Sequence, residues 1–441
     1  MFGYDMFAYY LQLAVRSFRR NRVLTLLMVL AVALGIGASM TTLTVFHVLS
    51  GDPIPSKSDR LFYVQLDPLP KDGLVPGEEP EFQLTRFDAE ALLREHRGLR
   101  QTMGAGGNAS IVPDTNGLAP FRTNARFVTA DFFPMFDVPL RYGRGWSAAD
   151  DAGAARVAVI STTLNDKLFG GKDSVGKTLR MDGASFRVIG VMDTWRPNPR
   201  FYDLATGRYG DAEPVFLPFS TAMSLKMSRR GNMNCFSADG TPNTEPTSLS
   251  ASCTWIQYWV ELAKPSDAAG FKAYLDNYSA QQHAAGRFQR PPNTRLRDVM
   301  GWLSFREVVP EDVRLQVWLA MSFLLVCLLN TVGLLLAKFL RRSGEIGVRR
   351  ALGASRGAIF AQFLVEAGAV GLVGGILGLG LAQLGLMAVR RQPVDYADLA
   401  HLDPTMLFVA FSLTLVASLL AGLLPAWRAM QVAPALQLKS Q

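Results

Sequence analysis

The sequence predicts a membrane protein of four transmembrane α-helices, with a large α+β extracytoplasmic domain between the first helix and the second. Three observations carry this. The 441-residue chain is 49% hydrophobic and 19% charged, with a mean hydropathy of +0.15, too apolar for an ordinary soluble enzyme. Its apolar residues gather in four runs, each able to supply the about 20 helical residues that cross a hydrocarbon core. Residues 51–314, between the first run and the second, have the mixed composition of a folded domain.

The first span, Val23 to Leu49, holds no Asp, Glu, Lys or Arg. A secretory signal peptide would be about half as long in its apolar part and would carry its small-residue cleavage site after the run. Here Ala31-Val32-Ala33 sits in mid-run, so the segment reads as a retained anchor. Residues 4–20, with apolar side chains at helical spacing and arginines at the end, fit either a helix lying at the inner interface or an inward extension of this span. The second span runs from Leu315 to Ala337, the third from Gly357 to Val389 and the fourth from Pro404 to Trp427. Basic clusters flank alternate sides: Arg16, Arg19, Arg20 and Arg22; then Lys338, Arg341, Arg342, Arg349, Arg350 and Arg356; then Arg428 and Lys439. The positive-inside rule puts all three clusters, and both termini, in the cytoplasm. Arg390 and Arg391, in the short outer loop, dissent, diluted by Asp395, Asp398 and Asp403. The net charge of +8 is thus explained by a lipid bilayer and gives no reason to expect nucleic acid.

Within 51–314 the pattern is mixed. RLFYVQLD (60–67) is β-like, and TRFDAEALLREHRG (85–98) is helical, with Thr85 as cap and Asp88 three residues on. TWIQYWVELA (254–263) is dense in aromatic and β-branched residues, and SDAAGFKAYLDNYSAQQH (266–283) is helical. The same order at both ends predicts a membrane-proximal α/β part, about 51–105 and 254–314, split by a β-rich insertion, about 106–253. Loops are expected at 68–80 and 231–252.

GKDSVGKT, from Gly171 to Thr178, fits the nucleotide-binding pattern G-x-x-x-x-G-K-[ST] letter for letter. A working loop of that kind follows a strand and opens a helix, whose first N–H groups cradle phosphate while the lysine neutralises it. Here STTLNDKLFGG before it reads as helix. TLRMDGASFRVIGVM after it reads as two strands about Asp182-Gly183. Gly171, Gly176, Lys177 and Thr178 are therefore a chance match, in an extracytoplasmic segment, and no cofactor is expected on this chain. Purified chain should not turn over ATP.

GEIGVRRALGASRGAIFAQFLVEAGAVGLVGGILGLGLA (344–382) and PAWRAMQVAPALQL (425–438) resemble the permease signature of the FtsX/MacB superfamily of ABC transporters. FVTADFFPMFDVPLRYGRGW (127–146), VAVISTTLNDKLFGGKDSVGKTLRMDGASFRVIGVM (157–192) and RNRVLTLLMVLAVALGIGA (20–38) are similar to MacB-type periplasmic and first-span segments. The resemblance covers most of the chain apart from about 195–253. It implies a bacterial inner-membrane permease subunit with a periplasmic domain, pairing with a second permease, identical or a sister chain. It also implies a cytoplasmic ATPase dimer beneath, which binds ATP and Mg, and substrate efflux through a periplasmic adaptor and an outer-membrane channel. Full-length MacB carries its ATPase fused. Here about 20 residues precede the first span and about 14 follow the fourth, below the size of a domain, so the ATPase is expected as a separate chain. An FtsX-like transducer that activates a cell-wall enzyme and a lipoprotein-release permease are the alternatives, disfavoured by the size and phrases of the middle domain.

In such a permease the ATPase is felt through a coupling segment, for which 338–356 stands in place. Ile346, Gly347, Ala351, Leu352, Gly353 and Ala354 are small or apolar enough to seat in a groove, and Glu345, Arg349, Arg350 and Arg356 can form salt links to a partner or to lipid phosphates. The third span is glycine-rich, and Gly371 with Gly375 forms a G-x-x-x-G pair suited to close helix packing. Glu366, an acid inside that span, is expected to pair with Lys338 or to reach the interface rather than to relay protons. Cys235 and Cys253, in an oxidising compartment, are expected to form a disulfide contributing roughly 3 kcal/mol. Cys327 lies in the second span, and the four histidines show no metal-ligand spacing.

Overall fold

A computed structural model of the chain describes residue 18 and residues 22–114, 117–236 and 245–431; the helix anticipated over 4–20 lies outside them except for Phe18. Contacts divide the chain into two units, Gly51–Val308 and Met1–Ser50 with Val309–Gln441.

The second unit holds four helices long and apolar enough to cross a membrane: Arg22–Ser50, Glu311–Leu340, Arg356–Arg390 and Pro404–Met430. Each outruns the apolar stretch that announces it, because flanking polar and charged residues continue the helix beyond the apolar run. Glu311 and Asp312 occupy the first turn of the second span, where carboxylates oppose the positive end of the helix dipole. The span and the domain boundary therefore fall a few residues before the Arg314/Leu315 boundary expected from hydropathy. Ser355 caps the third span by accepting from the Ala358 N–H, and Asp403 caps the fourth by accepting from the Met406 N–H, with Pro404 in the first turn.

The third span lies against the first and the fourth through glycines on two faces. A Cβ on Gly371 would overlap Ser418, and one on Gly375 would overlap Thr414, so the G-x-x-x-G pair seats the fourth span. On the other face, added Cβ atoms would fall 2.8 Å from Val32 at Gly374 and 2.9 Å from Ile36 at Gly378. Ser418 and Thr414 turn their hydroxyls back to the Thr414 and Ala410 carbonyls of their own helix, so neither hydroxyl is left unpaired at this close contact.

The large domain, Gly51–Val308, is organised by one sheet path. Its order is Arg295–Asp298, Leu61–Gln65, Cys253–Glu261, Arg100–Val112, Phe121–Val128, Val215–Pro218, Val157–Ser161, Ala184–Met192 and Leu140–Gly143. Neighbours are antiparallel except Phe121–Val128 with Val215–Pro218 and Val157–Ser161 with Ala184–Met192. The Cys253–Glu261 strand is buried along its whole length, and Trp255, Tyr258 and Trp259 are its bulk. The helices over Arg86–Glu95 and Ala268–Ala284 form where periodicity placed them, and Thr85 caps the first by accepting from the Asp88 N–H.

The expected insertion does not stand apart as a body. Its boundary at 105/106 falls inside a 13-residue strand that pairs with Cys253–Glu261 at its start and with Phe121–Val128 beyond. One apolar cluster, from Phe62 through Val188 to Tyr278, runs across both parts. Chain order repeated at the two ends marks elements of one sheet and says nothing of a break in packing.

The same domain buries charge. Arg126 of the Phe121–Val128 strand pairs with Asp203, and its other nitrogen donates to Gln257 Oε1 at 3.1 Å and the Tyr202 carbonyl at 3.3 Å. Asp203 also accepts from the Thr206 hydroxyl at 2.6 Å and the Ala205 N–H at 3.0 Å. Burial pushes its carboxyl upward, but Arg126, Arg200 and these hydrogen bonds hold it below the ordinary carboxylate value. These bonds strap the 195–214 segment to the sheet, with Trp195 stacked on Tyr202 at 5.1 Å.

A cleft of about 540 Å³ beside the Arg86–Glu95 helix is lined by Leu93, Met103, Asp151 and Phe219 among others. Burial there raises the Asp151 carboxyl to about 7, against the opposing hydrogen bond from the Ala130 N–H. The folded state thus holds a proton between about pH 4 and about pH 7 that the unfolded state releases, so this group's contribution to stability falls as pH rises through that window. In Asp151→Asn the melting midpoint should fall less between pH 5 and pH 8 than in the wild type; an identical fall would contradict this assignment.

Candidate functional site

The sequence candidates fall in three separate places. Cys235 and Cys253 face each other across paired strands of the large domain and are joined by a disulfide, with Cα atoms 4.0 Å apart. Gly171–Thr178 follows the Thr162–Phe169 helix and runs into the Thr178–Met181 strand. Its amides are used within the fold: Val175 N–H donates to Asp173, Gly176 N–H to the Val188 carbonyl and Lys177 N–H to the Ser174 carbonyl. Lys177 Nζ lies over the Phe169 ring at 5.0 Å, and Asp182-Gly183 forms the tight turn with both φ positive, 48° and 79°. No helix N-terminus opens after the loop to receive phosphate. Among the described residues no group of three or more His, Cys, Asp or Glu is placed to hold a metal ion.

The coupling candidates come together as one object. The second span ends at Leu340, a short helix runs from Ser343 to Ala351, and the third span begins at Arg356. The short helix is closed by Gly353 at φ +100°, with Gly353 N–H donating to the Arg350 carbonyl and Ala354 N–H to the Arg349 carbonyl. This paired closure needs a left-handed residue, which explains the glycine. Gly353→Arg would add backbone strain to any steric block, so it is a poor probe of contact at this turn.

Charges tie this turn to the third and fourth spans, and Lys338 carries the network on to the first. Glu366 Oε1 of the third span lies 2.6 Å from Lys338 Nζ of the second, and its Oε2 lies 3.5 Å from Arg342 Nη1. Arg342 Nε in turn lies 3.4 Å from Glu345 Oε2, and Glu345 Oε1 lies 2.9 Å from Arg349 Nη2. Arg349 Nη1 donates to Gln362 Oε1 of the third span at 3.1 Å. Lys338 Nζ reaches Thr25 Oγ1 of the first span at 3.5 Å, and Arg350 Nη1 donates to the Met430 carbonyl at the end of the fourth at 3.4 Å. The outcome for Glu366 is the pair with Lys338, extended by Arg342, which in the sequence is only one more flanking arginine.

One expectation is corrected. Ile346 is only 4% exposed and packs with Phe339, Ile359 and Phe363, and Gly347 is buried too, so neither is free to seat in another protein's groove. Glu345 and Arg349 pair with each other inside the chain while their side chains stay partly exposed. The physical reason is helical phase: residues two apart on a helix point to nearly opposite sides, so Ile346 turns in where Val348 and Leu352 turn out together. Leu352 is 83% exposed, Val348 is exposed beside it, and Ala351, Gly353 and Arg356 complete the outward face. Val348 escapes a reading by composition, although its i, i+4 spacing to Leu352 is the signal that finds it.

Four spans, a large α+β domain after the first, and a charged helical turn between the second and third define an ABC-type permease. Residues 25–278 match the MacB-like periplasmic core domain, and residues 318–434 match the FtsX-like permease C-terminal domain. The chain belongs to the family of MacB-like, FtsX-like ABC transporter permeases. It is 25% identical over 445 residues to the macrolide export ATP-binding/permease protein MacB of Marinobacter nauticus, a match covering 98% of this chain and 60% of that protein. It is 27% identical over 447 residues to the protein of the same name from Rhodospirillum rubrum, covering 98% and 60%. The pyoverdine export ATP-binding/permease protein PvdT of Pseudomonas aeruginosa is 26% identical over 314 residues, covering 70% of this chain and 41% of PvdT. The chain thus spans about 60% of the length of the first of these relatives.

Proposed function

We propose that this chain is the permease subunit of an exporter in which a separate cytoplasmic ATPase dimer, binding ATP and Mg, drives conformational change in a periplasmic domain and so expels a substrate. The observation that carries the reading is the turn over 341–355: an exposed apolar face at Val348 and Leu352 on a helix whose charged side bonds to the third and fourth spans, and through Glu366 to Lys338 of the second. Such a helix takes a push on one side and delivers it on the other. The relatives' names describe ATP-binding export permeases, which supports the same reading. In it, the termini and this turn face the cytoplasm, two permeases pair, and the substrate leaves by a periplasmic adaptor and outer-membrane channel. The four spans move as a transmitter, with the substrate handled by the large domains. The test is an acidic substitution at Leu352, read as loss of ATPase docking and of ATP-driven export. Docking and export both unchanged would remove the role assigned to this face.

A further inference from the structure

Lys338 and Glu366 are 1% and 2% exposed, a degree of burial that ion pairs reach at a cost. Desolvation offsets much or all of the attraction between two buried charges, and an apolar pair of similar volume holds two helices at least as well. Joining the second span to the third therefore does not by itself account for the pair. An apolar pair lacks a second acceptor. Glu366 has one, and it faces Arg342, whose guanidinium bridges to Glu345 on the short helix. From Glu345 the path runs through Arg349 to Gln362, one turn before Glu366 on the same span. The chain of contacts closes on itself, with the short helix on one side and the third span on the other.

Resting on the coupling role proposed above, we infer that Lys338 and Glu366 are positioning residues for coupling. Lys338 neutralises and orients the Glu366 carboxylate so that its second oxygen receives Arg342, and Arg342 thereby locks the Ser343–Ala351 helix onto the second and third spans. A push on the helix then moves both spans together instead of peeling the helix away. Ile346 is the natural reporter, because its side chain is covered only while the helix is seated.

The experiment uses the full chain with Ile346→Cys and Cys327→Ser in lipid nanodiscs, labelled with a hydrophilic maleimide, so that neither topology nor an ATPase enters the readout. With the pair intact, and with Lys338→Arg, which keeps a cation opposite Glu366, labelling should be slow. In Lys338→Met/Glu366→Leu the apolar pair should keep the melting midpoint while labelling quickens by about tenfold, the expected signature of local opening. Glu366→Gln, which keeps the volume but leaves Lys338 facing an uncharged amide, should also quicken labelling, at a lowered melting midpoint because one buried charge is stranded. Slow labelling in both variants, with folding intact, would overturn the inference. Fast labelling combined with undiminished ATP-driven export would overturn the transmission role of the pair while leaving an ATPase contact at Leu352 standing.

Discussion

Leu352→Glu should abolish docking of the partner ATPase while leaving the permease folded and in the membrane. The side chain is 83% exposed and makes no contribution to the permease's own core, so its loss should not move the melting midpoint. Covered by a partner, it would bury a leucine, worth about 1.5–3 kcal/mol, and a carboxylate in its place would add a desolvated, unpaired charge. Together these should weaken docking by about a hundredfold or more. Val348→Glu should act in the same direction, since it lies one turn away on the same face, and Leu352→Met should be tolerated. Co-purification of the ATPase and its stimulated turnover check this. Undiminished docking with glutamate at position 352 would exclude this face as the contact.

Asp203→Ala should be the most destabilising single substitution in the large domain. It leaves the Arg126 guanidinium, 1% exposed, without its carboxylate. Breaking such a buried pair from one side costs about 3–5 kcal/mol. For a domain of this size that should lower the melting midpoint by about 10 °C. Arg126→Met/Asp203→Leu should recover most of the loss, because it removes both charges rather than stranding one. Five of the seven tryptophans, Trp146, Trp195, Trp255, Trp259 and Trp302, lie in this domain, so intrinsic fluorescence of the full chain in detergent follows its unfolding. The depressed carboxyl adds a pH signature: its stabilisation is present above the ordinary aspartate range and is lost as pH falls through and below it. A single substitution that leaves the midpoint unmoved, or a double no better than the single, would contradict the strap described here.

What is legible in the sequence is what local physics controls. The spans stand out because about 20 consecutive apolar residues in a row suit a bilayer and little else, and the cap at Thr85 follows from residue type and position. The helix–loop–strand order around Gly171–Thr178 is legible too, from the Asp182-Gly183 turn. Long-range pairing is not. That Arg100–Val112 serves as the common strand of both expected parts depends on register between segments about 150 residues apart, which no local pattern encodes. At the turn between the second and third spans, composition marks a segment but ignores helical phase, and so gives Ile346 and Leu352 one role although they face opposite ways. The Arg126–Asp203 strap is invisible, because a buried ion pair looks like two surface residues until the chain is folded.

The reading as a whole depends on the turn at 341–355 and the large domain lying on opposite sides of the membrane. Thiol labelling of intact cells with a membrane-impermeant maleimide tests this directly, with single cysteines introduced as Lys177→Cys and Leu352→Cys in a Cys327→Ser background. Both positions are exposed in the fold, and cells lacking the partner ATPase are used so that no docked protein shields position 352 and protection reports the membrane. Cysteine at 177 should react once the outer membrane is permeabilised, and cysteine at 352 only after the inner membrane is opened. Reaction at 352 in intact cells, with 177 protected, would contradict the account.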